Sequence, residues 1–462
     1  MIPASAAKIA AGVAAGEFSC REVVEHFLQQ LQQHEPHLRA WVIADAEEAL
    51  RQAQHLDQQL AAGKPPGPLA GVPLGIKDII DAAPWPTRAG SSLLPPEPAA
   101  ADAPVVKRLR RAGAVLLGKT VTTAFACFDP PPTRNPWHPE HTPGGSSSGS
   151  AAAVAARMCV GALGSQTGGS IVRPAAYCGV VGFKGSFGRV SRRGVVPVSL
   201  HLDHVGPLAP SVADAARLWS VIQGYDAQDP WSSPPAASRS PEPEASLSVV
   251  PEAPPRLGVL EAPLLQAASP PLKQAFQAAL ARLEQAGAEL VPVPMPWLDE
   301  EVVQQHGCLM ATEAACWHLQ RFAQGHRERM PWEAYPPGLR KLLQQGLQTP
   351  PERYYQALAF QREFSRRVEH ALAGLSAVLL PAAPDVAPAP AKAGTGDPRF
   401  NLPWSLAGVP SLGIPAGLIE GLPWAVQLVG RWGSDLPLLQ VGLWVERVLG
   451  PLPVPPNSPG LK

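Results

Sequence analysis

The first stretch of the chain reads with a helical period. Ser19-Cys20-Arg21-Glu22 is a capping box ahead of Val23, Val24, Phe27, Leu28 and Leu31, which fall on one apolar face. A second helix is expected from an Asp45 cap to Ala62, stopped by Gly63 and Pro65-Pro66. The period then changes. Gly71-Val72-Pro73-Leu74-Gly75-Ile76 predicts a short buried strand and Val115-Leu116-Leu117 another. Between them Pro104 to Ala112 reads as a helix, with proline in its first turn and Gly113 just past its end. Strand, helix, strand over about 45 residues is a βαβ pattern, which predicts an α/β fold whose parallel or mixed sheet is covered by helices.

Between Ala227 and Pro255 the pattern lapses into proline, serine and alanine. A linker between domains is the default reading, and its rival is a surface excursion within one domain. Leu257-Gly258-Val259-Leu260 then resumes as a buried strand. Leu272 to Gly287 reads as amphipathic helix, Glu289 to Val293 as strand, Tyr354 to Ala373 as helix and Ala377 to Pro381 as strand. Residues 451–462 hold five prolines and are expected to be mobile. No internal repeat is visible.

Composition narrows the class. The 462 residues carry 38 Lys+Arg against 38 Asp+Glu, so the net charge is zero and binding to a phosphate backbone is not expected as the main function. Charged residues make up 16%, below the roughly 25% of an average soluble domain, and imply extensive burial. Proline and glycine together are about a fifth of the chain, short of the roughly 25–30% that marks low complexity. The alanine-rich N-terminus lacks a signal-peptide core and no run reaches the ~18 apolar residues of a membrane span. Six scattered cysteines without a C-x-x-C pair read as reduced thiols. A cytoplasmic location is therefore expected.

Two clusters of small residues carry the chemistry: Pro143-Gly144-Gly145-Ser146-Ser147-Ser148-Gly149-Ser150, which runs into an alanine-rich helix former, and Gly164-Ser165-Gln166-Thr167-Gly168-Gly169-Ser170. The first is not a nucleotide loop, because Ser150 stands where the phosphate-binding lysine is needed. Glycines let backbone amides converge on one oxygen, so Thr167-Gly168-Gly169-Ser170 can hold a developing oxyanion beside the Ser170 hydroxyl. Serine needs a base. No histidine stands in a recognisable order with an acid, and His201-Leu202-Asp203-His204 reads as a solvated loop. Lysine is the other base. Lys77, Lys119 and Lys184 each follow a predicted strand, where a dry core would lower the ammonium pKa, and spacing does not choose among them.

These motifs resemble the amidase signature family. The resemblance is carried by Gly71 to Asp78, Thr142 to Ser150, Thr167 to Ser170, Pro174 to Lys184, Leu202 to Pro207 and Asn401 to Pro410, and spans roughly residues 5 to 450. It implies a single large α/β domain with a central mixed β-sheet covered by helices, which replaces the linker reading of residues 227–255. Within it, residues 1–66 would form N-terminal helices and 67–225 the signature core. A surface excursion would occupy 226–256, the second half of the sheet and the substrate pocket 257–450, and a flexible tail 451–462. The resemblance also implies a Ser–cis-Ser–Lys triad. By motif position Ser170 is the nucleophile, Ser146 the bridging serine and Lys77 the base, with Ser147 ranked second for the bridge. Backbone amides of Thr167, Gly168, Gly169 and Ser170 would form the oxyanion hole. No cofactor or metal is implied.

The chain departs from the family pattern at Gln166, where the family commonly has Asp, and at Val172, where it commonly has Arg; an arginine follows one place later, at Arg173. Gly185 and Arg157 are lesser departures. The resemblance implies an amidohydrolase acting on a small carboxamide, urea or carbamate. The alternative is the glutamine-hydrolysing component of a tRNA-dependent amidotransferase, which needs partner subunits; Asp397 and Arg399 would then be candidates for the glutamine pocket. A non-catalytic scaffold is the third reading. Specificity is expected between Glu300 and Asp397, with Phe125, Cys127, Ser147, Trp317 and Trp404 as pocket candidates. Further wall candidates are Trp85, Phe128, His318, Arg321, Trp332, Tyr335, Tyr354 and Tyr355. A homodimer is left open.

Overall fold

The computed structural model describes residues 2–234, 250–251, 253–389 and 394–456. The helix ends follow the capping chemistry. The Ser19 side chain accepts from the Glu22 amide and Glu22 accepts from the Ser19 amide at 2.7 Å, opening helix Cys20–Leu38. Asp45 caps helix Ala46–Ala61 through the Glu48 amide. The expected helices around 104–112, 272–287 and 354–373 form as Pro104–Arg111, Pro270–Gln285 and Pro351–Ala371.

Eleven strands make one mixed sheet: β1 Trp41–Ala44, β2 Pro73–Lys77, β3 Val115–Thr120, β4 Gly161–Gln166, β5 Val181–Lys184, β6 His204–Ala209, β7 Arg256–Glu261, β8 Glu289–Pro294, β9 Ala377–Pro381, β10 Ser411–Ile419 and β11 Leu422–Val429. Their order is β1-β3-β2-β4-β6-β5-β10-β11-β9-β7-β8. The pairs β2/β3, β2/β4, β7/β8 and β7/β9 are parallel and the others antiparallel. Strands on both sides of residues 227–255 share this sheet, so the segment does not separate two domains. Residues 235–249 and 252 of the expected excursion lie outside the described residues, as do 457–462 of the expected tail. One hydrophobic cluster runs from Ala6 to Leu449. Among the described residues no helix is long and apolar enough to cross a membrane.

β2, β3 and β4 are buried at every position, as strands covered on both faces must be. This corrects the placement of two lysines. Lys77 closes β2 rather than following it, because it pairs in register with Thr120, and Lys119 lies inside β3. The hydrophobic run ends before the ladder does, since a lysine can occupy a ladder position when its amine finds partners indoors.

The helix Ser148–Ala155 is buried all round and stands behind this part of the sheet. Gly149 lets it approach: a Cβ there would lie 2.1 Å from the Ala40 carbonyl oxygen and 2.4 Å from the Val121 nitrogen. The end of β2 is pinned by an ion pair between Asp78 and Lys119 at 2.9 Å, both essentially without solvent contact. Removing one partner strands the other charge. Asp78→Ala should cost about 3–5 kcal/mol in denaturant unfolding, and Asp78→Asn combined with Lys119→Met should lose much less.

Candidate active site

Three lysines are candidates on sequence grounds, and their partners separate them. Lys119 is tied to Asp78 and donates to the Pro86 carbonyl at 2.9 Å and the Thr87 hydroxyl at 3.0 Å. Lys184 donates to the carbonyl oxygens of Val409, at 2.5 Å, and Gly185. Lys77 alone meets only hydroxyls. Its Nζ lies 2.7 Å from Ser146 Oγ and 2.7 Å from Ser165 Oγ, and the side chain is fully buried. Burial lowers the Lys77 pKa to about 7, with Asp203 and Cys127 opposing more weakly. An amine in this state can accept a proton near neutrality.

Ser146 follows a cis peptide bond from Gly145. Ser146 and Ser170 open on one cavity of about 230 Å³, which also reaches Thr167, Gly168 and Gly169. Ser170 is 9% exposed, and no hydrogen bond joins it to Ser146 among the described contacts. Catalytic hydrogen bonds are often long until substrate is bound.

The loop that carries Ser170 is held from several distant segments. Gln166 Oε1 accepts from the Ile171 amide at 2.9 Å and the Val172 amide at 3.0 Å. Its amide nitrogen donates to Ser405 Oγ at 3.1 Å, and Ser405 donates to the Gly168 carbonyl at 2.9 Å. A carboxylate could accept the two amides but could not donate to Ser405. The departure at Gln166 is thus accommodated by a hydroxyl rather than by an arginine. Val172 turns into a small apolar cluster with Ala176, Ala382 and Ala425. Thr167 Oγ1 donates to Asp203 at 2.5 Å, and His306 Nε2 lies 3.0 Å from the Thr167 carbonyl. Gly169 is needed because a Cβ there would stand 2.6 Å from Asn401 Oδ1.

Asp203 and His204 are therefore not in a solvated loop. Asp203 also accepts from the Val198 and Ser199 amides, at 2.8 and 3.0 Å, and His204 Nδ1 meets the Leu202 carbonyl at 2.7 Å. His201 pairs with Glu313. Burial is tolerated at Asp203 because its carboxylate accepts from Thr167 and two backbone amides.

The expected pocket residues need correction. Phe125, Cys127, Ser147, Trp317 and Trp404 do not line this cavity. Phe125 is buried in an aromatic cluster with Trp317, His318, Phe322 and Tyr335, its ring centroid 4.5 Å from that of His318. Cys127 is buried with its Sγ on the Phe125 carbonyl at 3.3 Å, and Trp404 is buried with its indole on the Phe400 carbonyl. Ser147 bridges both backbone groups of Ser165 at 3.2 Å, so it braces the strand rather than joining the Lys77 amine. Large aromatics are drawn to the core by their area.

The wall is formed instead by Val303, His306, Gly307 and Met310 of helix Glu300–Ala323, with Leu342 from helix Pro337–Gln348 and Phe128. Positions 303, 306, 307 and 310 repeat at helical spacing, a signal present in the sequence. Burial lowers the His306 pKa to about 4, so this wall is neutral at pH 7. Asp397 and Arg399 pair with each other at 2.6 Å and neither lines the cavity.

Comparison with known proteins places this geometry. A model of the amidase family matches residues 22–439. The glutamyl-tRNA(Gln) amidotransferase A chain of Anaeromyxobacter dehalogenans (strain 2CP-C) is 36% identical over 483 residues, covering 97% of this chain and 96% of that one. The solved peptide amidase of Stenotrophomonas maltophilia superposes with a TM-score of 0.86 at 32% identity, covering 98% of each chain. A chain from a vestigial protein complex tied to the origins of an s-triazine catabolic enzyme superposes with a TM-score of 0.87 at 32% identity, covering 97% of this chain and 99% of that one.

Gln166→Leu removes the acceptor of two buried amides and the donor to Ser405. It should lower stability by about 1–3 kcal/mol per unsatisfied group, measured by denaturant unfolding, and reduce turnover by loosening the Ser170 loop.

Proposed function

The chain belongs to the amidase signature family, whose members act on C–N bonds, and from that premise we propose that it cleaves a small amide through an acyl-enzyme on Ser170. The observation that carries the proposal is the Lys77 amine, which sheds its charge near neutrality, 2.7 Å from Ser146 Oγ, with Ser146 and Ser170 on one cavity.

The reaction begins with neutral Lys77. Ser170 Oγ attacks the carbonyl carbon and forms a C–O bond, while its proton passes to Ser146 Oγ and the Ser146 proton to Lys77 Nζ. The carbonyl electron pair moves to oxygen and is held by amides of the Thr167-to-Ser170 loop. When this pair returns, the C–N bond breaks and Lys77 sends a proton back through Ser146 to the leaving nitrogen. Water then cleaves the ester by the same relay and restores Ser170.

The substrate divides into two readings. The curated relatives carry the name of an amidotransferase component, and this supports a glutamine-hydrolysing chain working with partners better than it supports a stand-alone amidase. The cavity supports a stand-alone amidase with a small acyl group: at about 230 Å³ it is small, and its described lining holds no carboxylate for the α-ammonium of glutamine.

Ser170→Ala and Lys77→Ala should each lower kcat by about 10³-fold or more without unfolding the protein. Ammonia release from a panel of amides, ureas, carbamates and glutamine, with no partner added, separates the two readings. Undiminished activity of either variant would refute the relay. Because the base must be uncharged, kcat/KM should be low in acid and rise to a plateau as pH passes about 7.

A further inference from the structure

Arg173 is the one cation lining the cavity among the described residues. It lies in helix Val172–Cys178, one position beyond Val172, and a step of one residue turns a helical side chain by about 100°. Val172 consequently faces the apolar cluster with Ala382 and Ala425, while Arg173 faces the cavity. Arg173 is 5% exposed. Its Nη2 donates to the Gly145 carbonyl at 2.8 Å and reaches Thr395 Oγ1 at 3.3 Å. That carbonyl belongs to the peptide leading into Ser146, so the guanidinium sits beside the relay serine.

The other two nitrogens, Nε and Nη1, are buried and have no hydrogen-bond partner among the described residues. No carboxylate lies within ion-pair distance among the described residues. Tyr177 and Asp397 act on the guanidinium only through space, and Asp397 is committed to Arg399. The adjoining undescribed residues 390–393 are Pro-Ala-Lys-Ala and contain no acid. A buried guanidinium with two idle donors is costly unless something anionic completes it. Each idle nitrogen can donate a charge-assisted hydrogen bond to a carboxylate oxygen.

We propose that Arg173 is a specificity residue that binds a carboxylate on the substrate, so that the protein acts on amides bearing an acidic group. This deepens, and rests on, the reading of Ser170 as the nucleophile of an amide hydrolase. The rest of the lining is uncharged, so an amide with an acidic group and no amine fits it better than glutamine does.

Three measurements on the full-length chain test this. The first compares butyramide with succinamate, two amides alike except for a terminal carboxylate. The wild type should show a KM for succinamate at least tenfold lower. In the second, Arg173→Gln should raise the succinamate KM about 10²-fold, with a loss in kcat/KM at least tenfold larger for succinamate than for butyramide. Arg173→Lys keeps the charge but not the guanidinium donors, should raise that KM less, and serves if Arg173→Gln does not fold. The third measurement needs no turnover: succinate should bind Ser170→Ala in calorimetry, and binding should weaken at least tenfold when Arg173→Gln is added.

The proposal falls if the wild type does not distinguish the two amides. It also falls if Arg173→Gln lowers kcat equally for both, which would mean that Arg173 only positions Gly145 and Thr395. Persistent turnover by Ser170→Ala would overturn the nucleophile instead, and the succinate arm would still judge Arg173.

Discussion

An amine buried at the end of a sheet strand is the constraint on which this protein turns. Lys77 has no solvent contact and its nitrogen is shared between two hydroxyls, Ser146 and Ser165. Removing water from an ammonium disfavours the charge, and hydroxyls, unlike carboxylates, do not restore it. Two other buried lysines in the same sheet have different partners: Lys119 has its charge balanced by Asp78, and Lys184, whose pKa burial also lowers to about 7, is held by backbone carbonyls rather than hydroxyls. Lys77 is distinguished by what surrounds it, since all three side chains are chemically alike.

A neutral amine is useful only if the nucleophile is held still. The Ser170 loop has glycines that allow close approach, and it is fastened through side chains from four separate parts of the chain: Gln166, Asp203, His306 and Ser405. Each bond satisfies a buried polar group that would otherwise cost free energy. The exchange of a carboxylate for Gln166 is coherent in this network, because one amide side chain serves as acceptor to two backbone groups and donor to Ser405. Removing the arginine from position 172 leaves that face apolar, and Arg173 carries the charge to the other side of the helix, into the cavity.

The cavity therefore joins a proton-relay end to a neutral, mostly apolar wall. Its walls come from helices Glu300–Ala323 and Pro337–Gln348, while the relay comes from the first half of the sheet. The cavity is thus assembled from regions that meet only in the folded chain.

By itself the sequence determined the α/β class, the capped helices at Ser19 and Asp45, and buried strands expected at 71–76, 115–117 and 377–381, which form as 73–77, 115–120 and 377–381, because periodicity and capping are local. It also carried Lys77, Ser146 and Ser170, through motifs whose glycines and serines have few other uses in that order. Tertiary structure decided everything that depends on meeting. It set Lys77 apart from Lys119 and Lys184 by giving it only hydroxyl partners, Ser146 and Ser165. It withdrew Phe125 and Trp404 into the core, where large aromatic area is buried most favourably, packed the half-buried Trp317 against Phe125, and put Val303, Met310 and Leu342 on the wall instead. It turned Arg173 inward. The physical reason is that solvation and partner choice arise from contacts between residues far apart in the chain, such as Gln166 and Ser405, 239 positions apart, which no local pattern encodes.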